Sequence, residues 1–150
     1  MCIEKVVSLL EAAYEESEDP TIERQFTIAH INMARLRLSS SAYQEALESY
    51  QTAIGLLAEP EDQSSSLLLA QAHLGSGIAH LAMEDAEAAI GAFETASAAA
   101  STDQRLKDNA VVLLAQTLWS LDTEEAQEAA KTHLLQRYAA FLLRGVKGKG

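Results

Sequence analysis

Gly75-Ser76-Gly77 has the outline of a phosphate-cradling loop, in which glycines let backbone amides approach a pyrophosphate. A dinucleotide fingerprint also needs a third glycine, a strand before it and a helix opening on it. Here His80 holds the third-glycine position, and the flanking residues AQAHLGSGIAHLA follow a helical pattern. The pair therefore reads as a site of close helix packing. His73, His80 and Glu84 are spaced to share one helix face. Zinc needs several such ligands to converge, and HExxH is absent, so these read as core or interface histidines. His30 and His73 fall at matching points of a repeat described below. Glu124, Glu125 and Glu128 cluster at a helix start, where carboxylates complement the helix dipole. A general acid–base pair would need a cleft and shifted pKa values. Cys2, the single cysteine, has no histidine near it in sequence and cannot form an intrachain disulfide or a cysteine-rich metal site. No catalytic constellation emerges; the chain reads as a non-enzyme without cofactor or metal.

Composition narrows the class. A chain of 150 residues suits one domain. Hydrophobic residues make up 48% but aromatics only 5%, so the core must be built from Ala, Leu, Ile and Val. Two prolines, seven glycines and long Ala/Leu/Glu/Gln runs favour helix, and the expectation is all-α. The net charge is -11, with no Lys or Arg between Arg37 and Arg105. Binding a phosphate backbone requires a basic patch, so direct nucleic-acid binding is not expected. The acidic surface either keeps the protein soluble or meets a basic partner. No apolar run reaches the roughly eighteen residues that span a bilayer. The first twenty residues carry five glutamates and an aspartate, unlike a signal or transit peptide. The expected location is cytosolic or nuclear, away from membranes.

The elements follow from apolar spacing. Residues 2–19 form a helix with Ile3, Val6, Val7, Leu10 and Tyr14 on one stripe, ended by Asp19-Pro20. Thr21 caps the next helix, to Leu38, with Ile22, Phe26, Ala29, Met33 and Leu36 apolar; Ser39-Ser40-Ser41 breaks it. Tyr43–Leu57 is its partner. Ala58–Ser66 is a polar loop marked by Pro60. Leu67–Ala82, a turn at Met83-Glu84-Asp85, and Glu84–Ala100 form the central hairpin. Ser101-Thr102-Asp103 precedes a helix over 106–121. Asp122, with Glu125 three residues on, opens a helix from Glu124 to about Leu143. Residues 145–150, with three of the glycines, read as a flexible tail beyond a single domain, 1–144.

The hairpins repeat. Tyr43-x-x-Ala46-Leu47-x-x-Tyr50-x-x-Ala53 matches Ala86-x-x-Ala89-Ile90-x-x-Phe93-x-x-Ala96. Upstream, Ala34 matches Gly77. In the third unit Ala126 aligns, but Ala130 and His133 replace the aromatic and the last alanine, and Ala115 is one residue out of register. Small residues let paired helices approach, and the aromatic fills the wedge between hairpins. This pattern resembles the tetratricopeptide repeat, a helix–turn–helix unit. The resemblance implies a right-handed superhelical array of antiparallel helix hairpins, an all-α solenoid of about seven helices, with repeats at 21–57, 67–100 and 106–143. The spacing departs from the family: Ala46 and Ala89 are 43 residues apart, Ala89 and Ala126 37.

In such an array the first helix of each repeat lines a concave surface. The resemblance places Ile31, Arg35, Leu74, Ile78, Gln116 and Trp119 there, with Ile28, Leu38, Gln71, Leu81, Asn109 and Val112. This surface is mostly apolar, which suits a partner helix or extended peptide, or the neighbouring turn of a longer array. Family members that clamp a C-terminal carboxylate use lysine and asparagine in this face; here the matching positions hold Ile31, Arg35, Leu74 and Ile78, so such a clamp is not expected. Trp119 is either a binding hot spot or a core wedge. Self-association through apolar ends of the array is a further expectation, with the Ile3–Leu10 stripe as a cap.

The stretch NAVVLLAQTLWSLDTEEAQEAAKTHLLQ, with the long loop before the central hairpin, is similar to the C-terminal part of the fungal superkiller-complex scaffold family. That resemblance implies a fragment of a longer array, a non-catalytic scaffold in cytoplasmic mRNA decay. Its implied partners are an RNA helicase and a β-propeller subunit. The alternative is an isolated adaptor, outside RNA decay, that binds a helical or extended peptide. Arg137–Gly150 does not continue the repeat pattern.

Overall fold

Seven helices account for most of the described residues of the computed structural model: α1 (Ile3–Glu16), α2 (Pro20–Ser39), α3 (Tyr43–Leu56), α4 (Gln63–Ala82), α5 (Ala86–Ala99), α6 (Gln104–Ser120) and α7 (Glu124–Lys149). The backbone is described at residues 3–16, 19–57, 62–100 and 102–149, and side chains within 4–139 of these. Cys2, Pro60 with the first part of the polar loop, and Gly150 lie outside the described residues. No strand occurs among them. Each helix packs on the next, as expected for hairpins α2–α3, α4–α5 and α6–α7 with α1 laid on α2. α2 also touches α4, and α4 touches α6. Those skipped contacts align the first helices of the three hairpins on one side.

The helix starts are set by side-chain caps, which satisfy amide donors that lack an intrahelical acceptor. α2 is capped by Asp19, which accepts the Thr21 amide at 2.8 Å, rather than by Thr21. Pro20 explains the difference: it occupies the first helical position, where no N–H is needed, so the cap falls on the residue before it. α4 begins at Gln63, a turn earlier than the sequence pattern implied, because Asp62 accepts the Ser65 amide at 2.7 Å. The serine cluster thus forms the first turn instead of extending the loop. α6 begins at Gln104 under Asp103, which accepts the Leu106 amide at 3.1 Å. For α7 the cap is Thr123 Oγ1, 3.2 Å from the Ala126 amide, and not Asp122.

Each hairpin turns through one residue in the left-handed region: Ser41 (φ 63°), Glu84 (φ 63°) and Asp122 (φ 54°). At the first two the chain reverses through paired backbone bonds. The Ala42 amide reaches the Arg37 carbonyl at 2.8 Å, and the Asp85 amide the His80 carbonyl at 2.9 Å. This closure satisfies the last helical carbonyls. The left-handed turn residue recurs in all three hairpins, including the third, whose side-chain pattern is weak. α7 runs on to Lys149 through Gly145 and Gly148, where a flexible tail was expected. A glycine costs a helix only about 1 kcal/mol, and extending an existing helix adds a hydrogen bond per residue fixed.

Small residues and two rings make the core. Ala34, Ala46, Ala53, Ala89 and Ala96 are fully buried. Tyr50 (2% exposed) and Phe93 (0%) are its largest members, each worth about 2 kcal/mol or more by burial. Tyr50 packs with Ile31, Ala34 and Ala72; Phe93 with Ala89, Leu114 and Ala130. Ala130 stands where the first two hairpins carry their ring and is itself buried. Both glycines of the GSG sequence serve these rings. A Cβ on Gly77 would lie 2.5 Å from Phe93 Cε1, and one on Gly75 2.6 Å from Tyr50 Cε1 and nearer still to Cζ. Gly77 thus admits the ring of its own hairpin, and Gly75 the ring of the preceding one.

At the N-terminal end Val7 of α1 packs with Phe26, Ala29 and Met33 of α2. Tyr14 stacks on Phe26 at 5.6 Å between centroids, and Phe26 meets His30 edge-on at 4.6 Å. Arg37 ties three helices, donating from Nη1 to Ser49 Oγ at 2.8 Å and lying 3.8 Å from Glu4. Leu36, placed by its spacing on the apolar side of α2, is instead 54% exposed.

Candidate functional site

α2, α4 and α6 together line a concavity of about 1040 Å³. Of the residues predicted to form the groove, Ile31, Arg35, Leu74 and Ile78 do line it, with Leu38, Gln71 and Asn109. Their roles differ. Ile31 is nearly fully buried and contributes to the floor. Leu74 and Ile78 are half-buried and also pack against the Phe93–Leu114 cluster. Arg35 and Gln71 are exposed.

Gln116 and Trp119 are exposed but do not line this concavity. Trp119, at 51% exposed, is therefore not a core wedge; with Leu121, Leu134, Leu135 and Tyr138 it belongs to an exposed apolar set on the last hairpin. Ile28, Leu81 and Val112 also stand outside the groove lining.

Sequence reasoning missed Asn32, Leu36, Ser39, Tyr50, Asp103, Arg105 and Leu106, all of which face the concavity. With these the groove is not mostly apolar: an Ile/Leu floor is rimmed by Asn, Gln, Ser, Asp and two arginines. A signal for the arginines was present, since Arg35 and Arg105 stand near the borders of the cation-free stretch. The fold brings those borders together across α4.

Tyr50 reaches the groove from α3, through the gap at Gly75. Burial pushes its phenol pKa up, and the positive charge of nearby Arg35 partly opposes that. Among the described residues its hydroxyl forms no hydrogen bond.

The histidines behave as packing groups. Burial holds His30 below its ordinary pKa, with Glu11 opposing and Arg37 reinforcing the shift, and His30 Nδ1 is buried without a hydrogen-bond partner. Burial lowers His73 likewise. His80 Nδ1 lies 3.9 Å from Asp85 Oδ2. No three His, Cys, Asp or Glu side chains converge among the described residues. No helix among them is long and apolar enough to cross a membrane.

No known family model matches this chain. It is similar to Superkiller protein 3 of Schizosaccharomyces pombe, at 27% identity over 132 residues. That alignment covers 88% of this chain but 9% of the fission-yeast protein, so the chain spans less than a tenth of that relative's length.

Proposed function

We propose that this chain is a non-catalytic protein-interaction module of a helical-repeat scaffold, and that the scaffold serves a superkiller-type mRNA-decay assembly. The concave face carries the reading. Three hairpins present their first helices to one groove, with an apolar floor and a polar rim of the kind that receives an extended or helical segment. The similarity to Superkiller protein 3 along 88% of the chain supports the assembly. By that assignment the partners are an RNA helicase and a β-propeller subunit, in the cytoplasm.

A second reading, an adaptor outside RNA decay, draws on the groove being lined entirely by residues of this chain.

Co-expression with the helicase and β-propeller subunits of the same organism's superkiller complex tests the proposal. Co-purification is expected, and it should be lost with Gln71→Trp, which fills the middle of the groove from an exposed position. Substituting Leu74 or Ile78 is less informative, because both also support the core. Failure of either subunit to co-purify refutes the assembly. Co-purification that survives Gln71→Trp refutes the groove.

A further inference from the structure

Carboxylates outnumber cationic side chains 22 to 11 in this chain, so an arginine without a partner is conspicuous. Arg24 bonds Ser64, Arg37 bonds Ser49 and pairs with Glu4, Lys131 pairs with Glu128, and Arg137 with Asp108. Arg35 and Arg105 have no ion pair among the described residues, and both line the concavity. They are contributed by α2 and α6, which flank α4. Lys5 and Lys107, also unpaired, stand outside it. The Tyr50 hydroxyl, on the same concavity as Arg35, adds a donor that no group among the described residues uses. Ile31, Leu74, Ile78 and Leu106 line the same concavity, and its one carboxylate, Asp103, is engaged in capping α6 through the Leu106 amide.

From this juxtaposition we infer that the groove takes an extended segment of a partner protein in which an Asp or Glu side chain sits between apolar residues. The carboxylate meets Arg35 and Arg105 and accepts from the Tyr50 hydroxyl, while the flanking side chains cover the Ile/Leu floor. Arginine suits such a contact because its guanidinium offers a planar fork of donors to a carboxylate. The charge balance favours a protein over a nucleic acid. A single carboxylate needs only this local pair, whereas a polyphosphate backbone would run along an otherwise acidic surface. The inference rests on the groove being a protein-binding surface, as proposed above.

The test is selection of a phage-displayed random dodecapeptide library on the wild-type chain, followed by fluorescence anisotropy with the enriched peptides. Arg35→Ala, Arg105→Ala, Tyr50→Phe and Gln71→Trp are compared with wild type, and a labelled oligouridine is titrated in parallel. The arginines are exposed and unpaired, and Tyr50→Phe keeps the ring that fills the Gly75 gap, so these variants retain the fold; circular dichroism checks it. The enriched peptides should share an acidic residue flanked by apolar ones. Their binding should vanish with Gln71→Trp and weaken about five- to tenfold with each Arg→Ala. It should weaken less with Tyr50→Phe and be partly restored by Arg35→Lys. Peptides that need the groove but carry no acidic residue, or ignore both arginines, overturn this inference and leave groove binding standing. If no enriched peptide responds to Gln71→Trp, both fall. Oligouridine binding that Gln71→Trp abolishes overturns the inference in favour of RNA.

Discussion

Four glycine-to-alanine substitutions with the same intrinsic chemistry should divide in sign. In a helix interior the exchange stabilises by about 1 kcal/mol, because alanine loses less backbone freedom on folding. At Gly91 of α5 a Cβ meets nothing within 4 Å, so most of that gain should appear. Gly55 is equally open but stands one residue from the end of α3, and its gain should be smaller. At Gly77 the new Cβ lies 2.5 Å from Phe93 Cε1 and 2.7 Å from Cδ1. Carbon atoms in contact sit about 3.5–4.0 Å apart, so the ring or the helix must give way by about 1 Å. Phe93 is fully buried in the close-packed core. Overpacking of that kind costs about 1–3 kcal/mol and is expected to exceed the propensity gain. Gly75 is tighter still, against Tyr50. Urea denaturation followed by far-UV circular dichroism should give higher midpoints for Gly91→Ala and Gly55→Ala, and lower ones for Gly75→Ala and Gly77→Ala. A double-mutant cycle isolates the clash: Phe93→Leu should lessen the penalty of Gly77→Ala by about 1 kcal/mol or more. If Gly75→Ala and Gly77→Ala raise the midpoint as Gly91→Ala does, the packing role given to the GSG sequence is wrong.

Glu84→Gly should raise stability by about 0.5–1 kcal/mol in thermal unfolding, since its φ of 63° penalises a residue with a Cβ and suits glycine. Arg37→Ala should cost about 1 kcal/mol by leaving the buried Ser49 hydroxyl without its partner; hydrogen exchange in α1 should quicken as the tie to Glu4 is lost. Acid should destabilise the fold through His30 and His73, whose burial lowers their pKa values below 6.5. The unfolded chain takes up protons there first, so their contribution is intact above 6.5 and is lost as the pH falls through the depressed folded values. Urea midpoints measured from neutral pH downward should therefore fall, and His30→Leu should flatten the slope.

Much of the fold was legible because it is written in local rules. The spacing of Ala46, Tyr50 and Ala53, and again of Ala89, Phe93 and Ala96, describes a helix face that must pack on a partner. The Ser39–Ser41 and Met83–Asp85 breaks mark where that partner begins. Helix boundaries were less legible, because caps compete: Asp19 and Thr123 cap where Thr21 and Asp122 were expected, and Asp62 starts α4 a turn early. The site was legible only in part. Gly77 was readable as a close-approach position because the repeat aligns it with Ala34. Gly75 was readable as a close-packing glycine but its partner was not, because Tyr50 belongs to the preceding hairpin.

The sequence alone determined that this is an all-α chain of repeated hairpins, since periodicity and turn chemistry act over a few residues. Tertiary structure decided which side chains share the groove. Arg35 and Arg105 are remote in the chain, and they line one concavity only because α2 and α6 both pack against α4. Trp119, at matching helical spacing, is not among its lining residues. Placement of that kind depends on how successive hairpins stack, and the Tyr50–Gly75 and Phe93–Gly77 contacts help to set that stacking.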